Sequence, residues 1–160
     1  MNLQWQCLAF AQAPPRLLYQ ALALRSRVFA LEQQCLYQDL DGADFDAQLV
    51  VGSLPAADAD DEVVATARIL SPGVRFAEPS IGRVCTAAEY RRRGLGRALM
   101  RFAIRSARER HPGQAIRISA QAYLEHFYAA FGFEPVSDRY LEDGIAHLEM
   151  RLPAAAPAGH

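Results

Sequence analysis

"EYRRRGLGRALMRF" (89–102) decides the reading of this chain. Three arginines precede two glycines that flank one leucine, and an apolar run with helical period follows. The preceding "SIGRVCT" (80–86) is strand-like, so the glycines stand between a strand and the first turn of a helix. That context gathers free backbone N–H groups and the positive end of a helix dipole at one point. Glycine at 94 and 96 lets an anion approach the backbone with no Cβ in the way. A pyrophosphate is the natural guest.

Two other guests fit less well. A dinucleotide loop needs a third glycine at 99, where the chain has Leu99, and no acidic residue ends a following strand near 105–120. Nucleic acid would explain why eight of the 17 basic residues lie between Arg91 and Arg110. Yet Arg97, Arg101, Arg105 and Arg108 form a helical row opposite Leu95, Leu99, Phe102 and Ala103, which is the pattern of a solvated face. The net charge of −1 supplies no global field for a polyanion or a membrane.

The 160 residues, 51% hydrophobic and 22% charged, suit one globular domain. All 17 basic residues are arginine, which removes Schiff-base chemistry and the lysine of a Walker loop. Cys7, Cys35 and Cys85 are far apart and odd in number, so they read as reduced thiols of a cytoplasmic protein; a reactive Cys85 is the lesser alternative. The histidines form no ligand pair, and the "DLDGAD" run (39–44) lacks the spacing of a calcium loop, so no metal is expected. No leader and no apolar run of membrane length is seen. Nothing in the residues excludes a homodimer.

Periodicity predicts a strand over 3–10, then a helix opened by Pro14 and Pro15. Its stripe is Leu17, Ala21, Leu24, Val28 and Leu31, with Leu18, Leu22, Arg25, Phe29 and Glu32 in a second row. An acidic loop (33–46) leads to strands 47–54 and 62–70, joined by a polar hairpin connection. Strand 80–86 alternates irregularly, which suggests burial on both faces or a bulge. A helix over 94–110, a strand over 115–122, a short helix over 123–131 and a strand over 147–152 complete an α/β domain spanning 1–152. The Pro/Ala-rich residues 153–160 read as a disordered tail.

The segment Arg91-Arg92-Arg93-Gly94-Leu95-Gly96 resembles the R/Q-x-x-G-x-G/A signature of the GNAT acetyltransferases, and "HFYAAFGF" (126–133) resembles their second signature. "LRSRVFALEQQCLYQDLDGAD", "ARIL", "IGRV" and "EDGIAHLEM" extend the likeness to the ElaA branch over 22–150; Leu36 departs from it, standing where proline is common. The resemblance implies a single-domain acyl-CoA N-acyltransferase fold with a mixed, mostly antiparallel sheet flanked by helices. It implies acetyl-CoA as cosubstrate and a primary amine of a small molecule or peptide as acceptor. An alkylamine is less than ~0.1% neutral at pH 7, so such an enzyme must take a proton from it, polarise the thioester and protonate the leaving sulfur.

Carried onto this chain, Tyr128 matches the general acid. The backbone of Val84, Cys85 and Thr86 faces the pantetheine arm, and Arg91 to Gly96 with Arg97 holds the pyrophosphate. Gln121, closing its strand, is a candidate for a cofactor amide. The glutamate that many relatives carry on the strand before the phosphate loop is missing from "SIGRVCT". Glu32, Asp39, His147 or a relayed water are then candidates for the base. Arg25, Tyr37, Asp39 and His147 are expected at the acceptor site, beside an acidic loop with no basic side chain of its own. Two rivals stay open: a CoA-binding or protein-interaction module without turnover, and an acyl-homoserine-lactone-synthase-like acyltransferase.

Overall fold

The structure is a computed structural model that describes residues 2–156. Strand β1 (Gln4–Ala9) leads to α1 (Pro15–Arg25), whose proline sits where an N–H would lack a partner anyway. Strands β2 (Gln48–Leu54), β3 (Glu62–Leu70) and β4 (Ser80–Thr86) follow, then α2 (Leu95–Arg110), β5 (Ile116–Gln121) and the short α3 (Glu125–Ala129). The chain closes through β6 (Glu134–Pro135), β7 (Tyr140–Glu142) and β8 (Ile145–Leu152).

The eight strands form one sheet in the order β1-β2-β3-β4-β5-β8-β6, with β7 also on β8. The pairs are antiparallel except β4 with β5, which is parallel. Strand β3 is buried from Val63 to Leu70, which requires cover on both faces, and both α1 and α2 pack against it. Val50, Val51, Val64, Ile69, Leu99, Met100, Ile116 and Met150 form the centre of the core. In α2 the expected faces hold except at Arg108, which is half-buried: Leu95, Leu99 and Ala103 are buried, whereas Arg97, Arg101 and Arg105 are exposed. The tail reading falls on 153–156, which are exposed coil, and on 157–160, which lie outside the described residues.

Two departures from regular geometry position the site. Past Arg25 the first helix continues as a π-helical segment, Ser26–Glu32, with Gln33 N–H donating to the Val28 carbonyl at 3.0 Å. The wider turn breaks the 3.6-residue stripe, so Leu31, expected in the core, is 74% exposed. Strand β4 is bulged as expected: the pairs Thr66↔Cys85 and Arg68↔Gly82 leave one extra residue on β4, and Arg83 there takes φ +50°.

Candidate active site

Strands β4 and β5 pair only at Ser80↔Arg117 and diverge beyond it. The gap is a cleft lined by Gly82, Arg83 and Val84 of β4 and by Ser119 and Gln121 of β5. Phe29 and Gln33 reach it from the π segment, Tyr128 from α3, and Glu142 and His147 from the last hairpin.

The phosphate loop adjoins this opening. Gly94 takes φ +76° at the N-terminus of α2, a left-handed conformation that costs a non-glycine residue free energy, and a Cβ there would meet nothing within 4 Å. The helix's first backbone bond runs from Ala98 N–H to the Gly94 carbonyl, and no side chain caps it. The N–H groups of Leu95, Gly96 and Arg97 are therefore free for an anion. A Cβ on Gly96 would stand 3.7 Å from the Phe127 ring, so α3 abuts the loop. These features fit a pyrophosphate.

Arg92, Arg93 and Arg97 are exposed; Arg91 is otherwise engaged. Its Nη2 donates to the Thr86 carbonyl at 2.8 Å and lies 2.7 Å from Glu32 Oε1. Glu32, a candidate base, thus ties the end of the π segment to the phosphate loop. Cys85 is buried, and burial pushes its thiol up to about 12, which removes the nucleophile reading. Only its backbone is offered to a ligand.

Tyr128 is 7% exposed and packs edge-to-face on Phe127 and Phe133. Burial raises its phenol above the usual range, so it holds its proton at neutral pH. Gln121 lines the cleft, and its Nε2 donates to Gln33 Oε1 at 3.1 Å, joining β5 to the end of the π segment. His126 is exposed.

The acidic loop is corrected by the fold. Arg25, expected at the acceptor site, is 1% exposed, and its guanidinium holds Asp44 at 2.7 Å and Asp39 at 3.0 Å. Arg68 makes two hydrogen bonds to Asp41, at 2.8 and 2.9 Å, which hold that carboxyl well below its ordinary value. Arg83 Nε approaches Asp39 Oδ1 to 2.7 Å without hydrogen-bond alignment. Three arginines from three elements neutralise Asp39, Asp41 and Asp44, so among the described residues only Asp46 of the loop's aspartates is left exposed without a basic partner. Arg83 also lies over the Tyr37 ring at 5.2 Å, and Tyr37 lines the cleft.

His147 is buried at the opposite wall. Cross-strand register places Gln121, His147 and Tyr140 in one row over β5, β8 and β7. Around the histidine lie Ser119, Tyr140, Glu142 and Arg75, none of which the sequence reading selected. A strand of three residues carries too little periodicity to assign Tyr140 and Glu142. The buried Arg68 and the half-buried Arg83 had a usable signal, a charge within an otherwise apolar strand.

A family model described as "Acetyltransferase (GNAT) domain" matches residues 26–154. A UPF0039 protein of Synechocystis is 39% identical over 96% of this chain and 98% of its own length. Protein ElaA of Escherichia coli is 37% identical over 92% of this chain and 95% of its own. The crystal structure of ElaA superposes with a TM-score of 0.84, covering 94% of this chain and 99% of that one. An acyl-CoA N-acyltransferase from Pseudomonas aeruginosa, 35% identical, gives 0.86 over 94% and 99%. Neither comparison concerns the phosphate loop alone; each runs the length of the fold just described. The chain belongs to the GNAT family, in its ElaA-like branch, and is an acetyl-CoA-dependent acyltransferase.

Proposed function

We propose that the protein transfers the acetyl group of acetyl-CoA to a primary amine of a small molecule or peptide, in the cytoplasm. The observation that carries this reading is the divergence of β4 from β5 beside the uncapped N-terminus of α2. The free N–H groups of Leu95, Gly96 and Arg97, with the exposed guanidiniums of Arg92, Arg93 and Arg97, hold the pyrophosphate. The backbone at Val84 and Cys85 takes the pantetheine arm, and the Gln121 amide is within the same cleft. Acetyl-CoA supplies a thioester carbonyl for the amine to attack.

Tyr128 keeps the proton that the departing sulfur needs. Among the base candidates, Glu32 is bound to Arg91 and Asp39 to Arg25 and Arg83. His147 is bound by no guanidinium among the described residues. Its Nδ1 lies 2.7 Å from the Ile145 carbonyl, which can only accept, so Nδ1 carries the proton and Nε2 is the basic nitrogen. His147 therefore takes the proton from the acceptor, and Tyr37 lines the way in.

The test is acetyl-CoA with a panel of amines (butylamine, a polyamine, an unblocked peptide), followed by free thiol and product mass. Amine-dependent thiol release with a matching acetylated product is expected. Acetyl-CoA binding with no amine-dependent release across the panel would replace this reading with a CoA-binding module.

A further inference from the structure

Glu142 stands at the end of β7, where the chain turns through Asp143 and Gly144 into β8. Its two oxygens have different surroundings. Oε1 accepts from Arg75 Nη2 at 2.7 Å. Oε2 faces His147 Nε2 at 3.4 Å and Ser119 Oγ at 3.5 Å. Ser119 Oγ in turn is hydrogen-bonded to the Tyr140 hydroxyl.

The Oε2 contacts are long for charge-assisted hydrogen bonds, which settle nearer 2.8 Å. With the proton of a neutral His147 on Nδ1, its Nε2 presents a lone pair to a carboxylate oxygen. Among the described residues only the Ser119 hydroxyl offers Oε2 a donor besides, at a long 3.5 Å, and none is offered to Nε2. An alkylammonium has three N–H donors and no acceptor. The three atoms converging here, Oε2, Nε2 and Oγ, are what it needs, and they stand in the same cleft as Tyr128 and Val84.

We propose that Glu142 is the anchor of the acceptor's ammonium group, with His147 Nε2 and Ser119 Oγ as its other two contacts. This rests on the acetyl-transfer reading and adds the acceptor's charge: it enters as a cation and is recognised at the β7–β8 hairpin, not at the acidic loop. Once seated, one N–H bond breaks, its electron pair stays on the amine nitrogen and the proton moves to Nε2. Glu142 neutralises the imidazolium that results. Arg75 competes with the ammonium for the same carboxylate. The other ionisable groups around the hairpin are Arg83, Tyr37, Cys35, Asp143 and Tyr140.

Butylamine, butyrate and butanol serve as probes, with the His147 imidazole followed by NMR in protein free of acetyl-CoA. Butylamine is expected to move the His147 resonances saturably, while butyrate and butanol leave them in place. Glu142→Gln should weaken butylamine about tenfold or more, the cost of a lost hydrogen bond to a charged group. Arg75→Gln, which breaks the same ion pair from the other side, should tighten butylamine. A merely structural Arg75–Glu142 pair would make both variants weaken binding together. The proposal is overturned if butyrate binds better than butylamine, if butylamine does not reach His147, or if the two variants shift affinity in the same direction. Acetyl-CoA affinity, measured separately by calorimetry, distinguishes failure here from failure of the cosubstrate reading.

Discussion

Burial raises both Tyr128 and Cys85, and the chemistry that follows differs. A thiol at about 12 has almost no thiolate at neutral pH, so Cys85 is inert as a nucleophile. A phenol raised above its usual range is a weaker acid, but it stays protonated until the sulfur departs and so still has the proton to give. Tyr128→Phe keeps the ring that packs on Phe127 and Phe133 and removes only the hydroxyl. It should leave acetyl-CoA affinity within a few-fold and lower kcat by about 10²–10⁴-fold. Stopped thiol-release kinetics beside calorimetry would check this, and unchanged kcat would return Tyr128 to a packing role.

The acidic loop after the π segment and the bulged strand β4 are held to each other by charges that lie far apart in sequence. Arg25 is 1% exposed and holds Asp39 and Asp44, so Arg25→Ala leaves the buried Asp44 with Arg68 alone at 3.3 Å and Asp39 with Arg83 alone, and should cost up to about 3–5 kcal/mol in denaturant unfolding. Asp41 adds a pH dependence. Its folded pKa is depressed by Arg68, so its contribution is full above the unfolded carboxyl's ~3.9 and is lost as pH falls below that value. Asp41→Asn should be less stable at neutral pH and show a shallower loss on the acid side. The phosphate loop is legible in the sequence because its chemistry is local: Gly94, Gly96 and the following helix are contiguous. Arg68 and Arg83 show as charges within apolar strands, but their pairing with the aspartates is not legible, because only the folded loop brings residues 27 and 44 positions apart into contact. The π segment is also hidden, since a stripe at 3.6 spacing fits Leu31 until one wider turn swings it to solvent.

For the molecule as a whole, the α/β order and single domain can be read from hydrophobic period, and the two signatures carry the resemblance that the family and fold comparisons bear out. The divergence of β4 and β5 is a property of the assembled sheet, announced in sequence only by the irregular alternation of "SIGRVCT". That divergence and the bare N-terminus of α2 make one continuous binding surface for a thioester and its pyrophosphate. A ligand confined to the folded state at a hundred times its dissociation constant adds about 2.7 kcal/mol, which for this size of domain raises Tm by roughly 5–10 °C. Gly94→Asp puts a side chain and a negative charge where a Cβ now meets nothing within 4 Å. The most direct measurement is thermal unfolding of wild type and Gly94→Asp with and without saturating acetyl-CoA. The account predicts a rise of that size in wild type and none in the variant. No rise in wild type, or an equal rise in both, would contradict it.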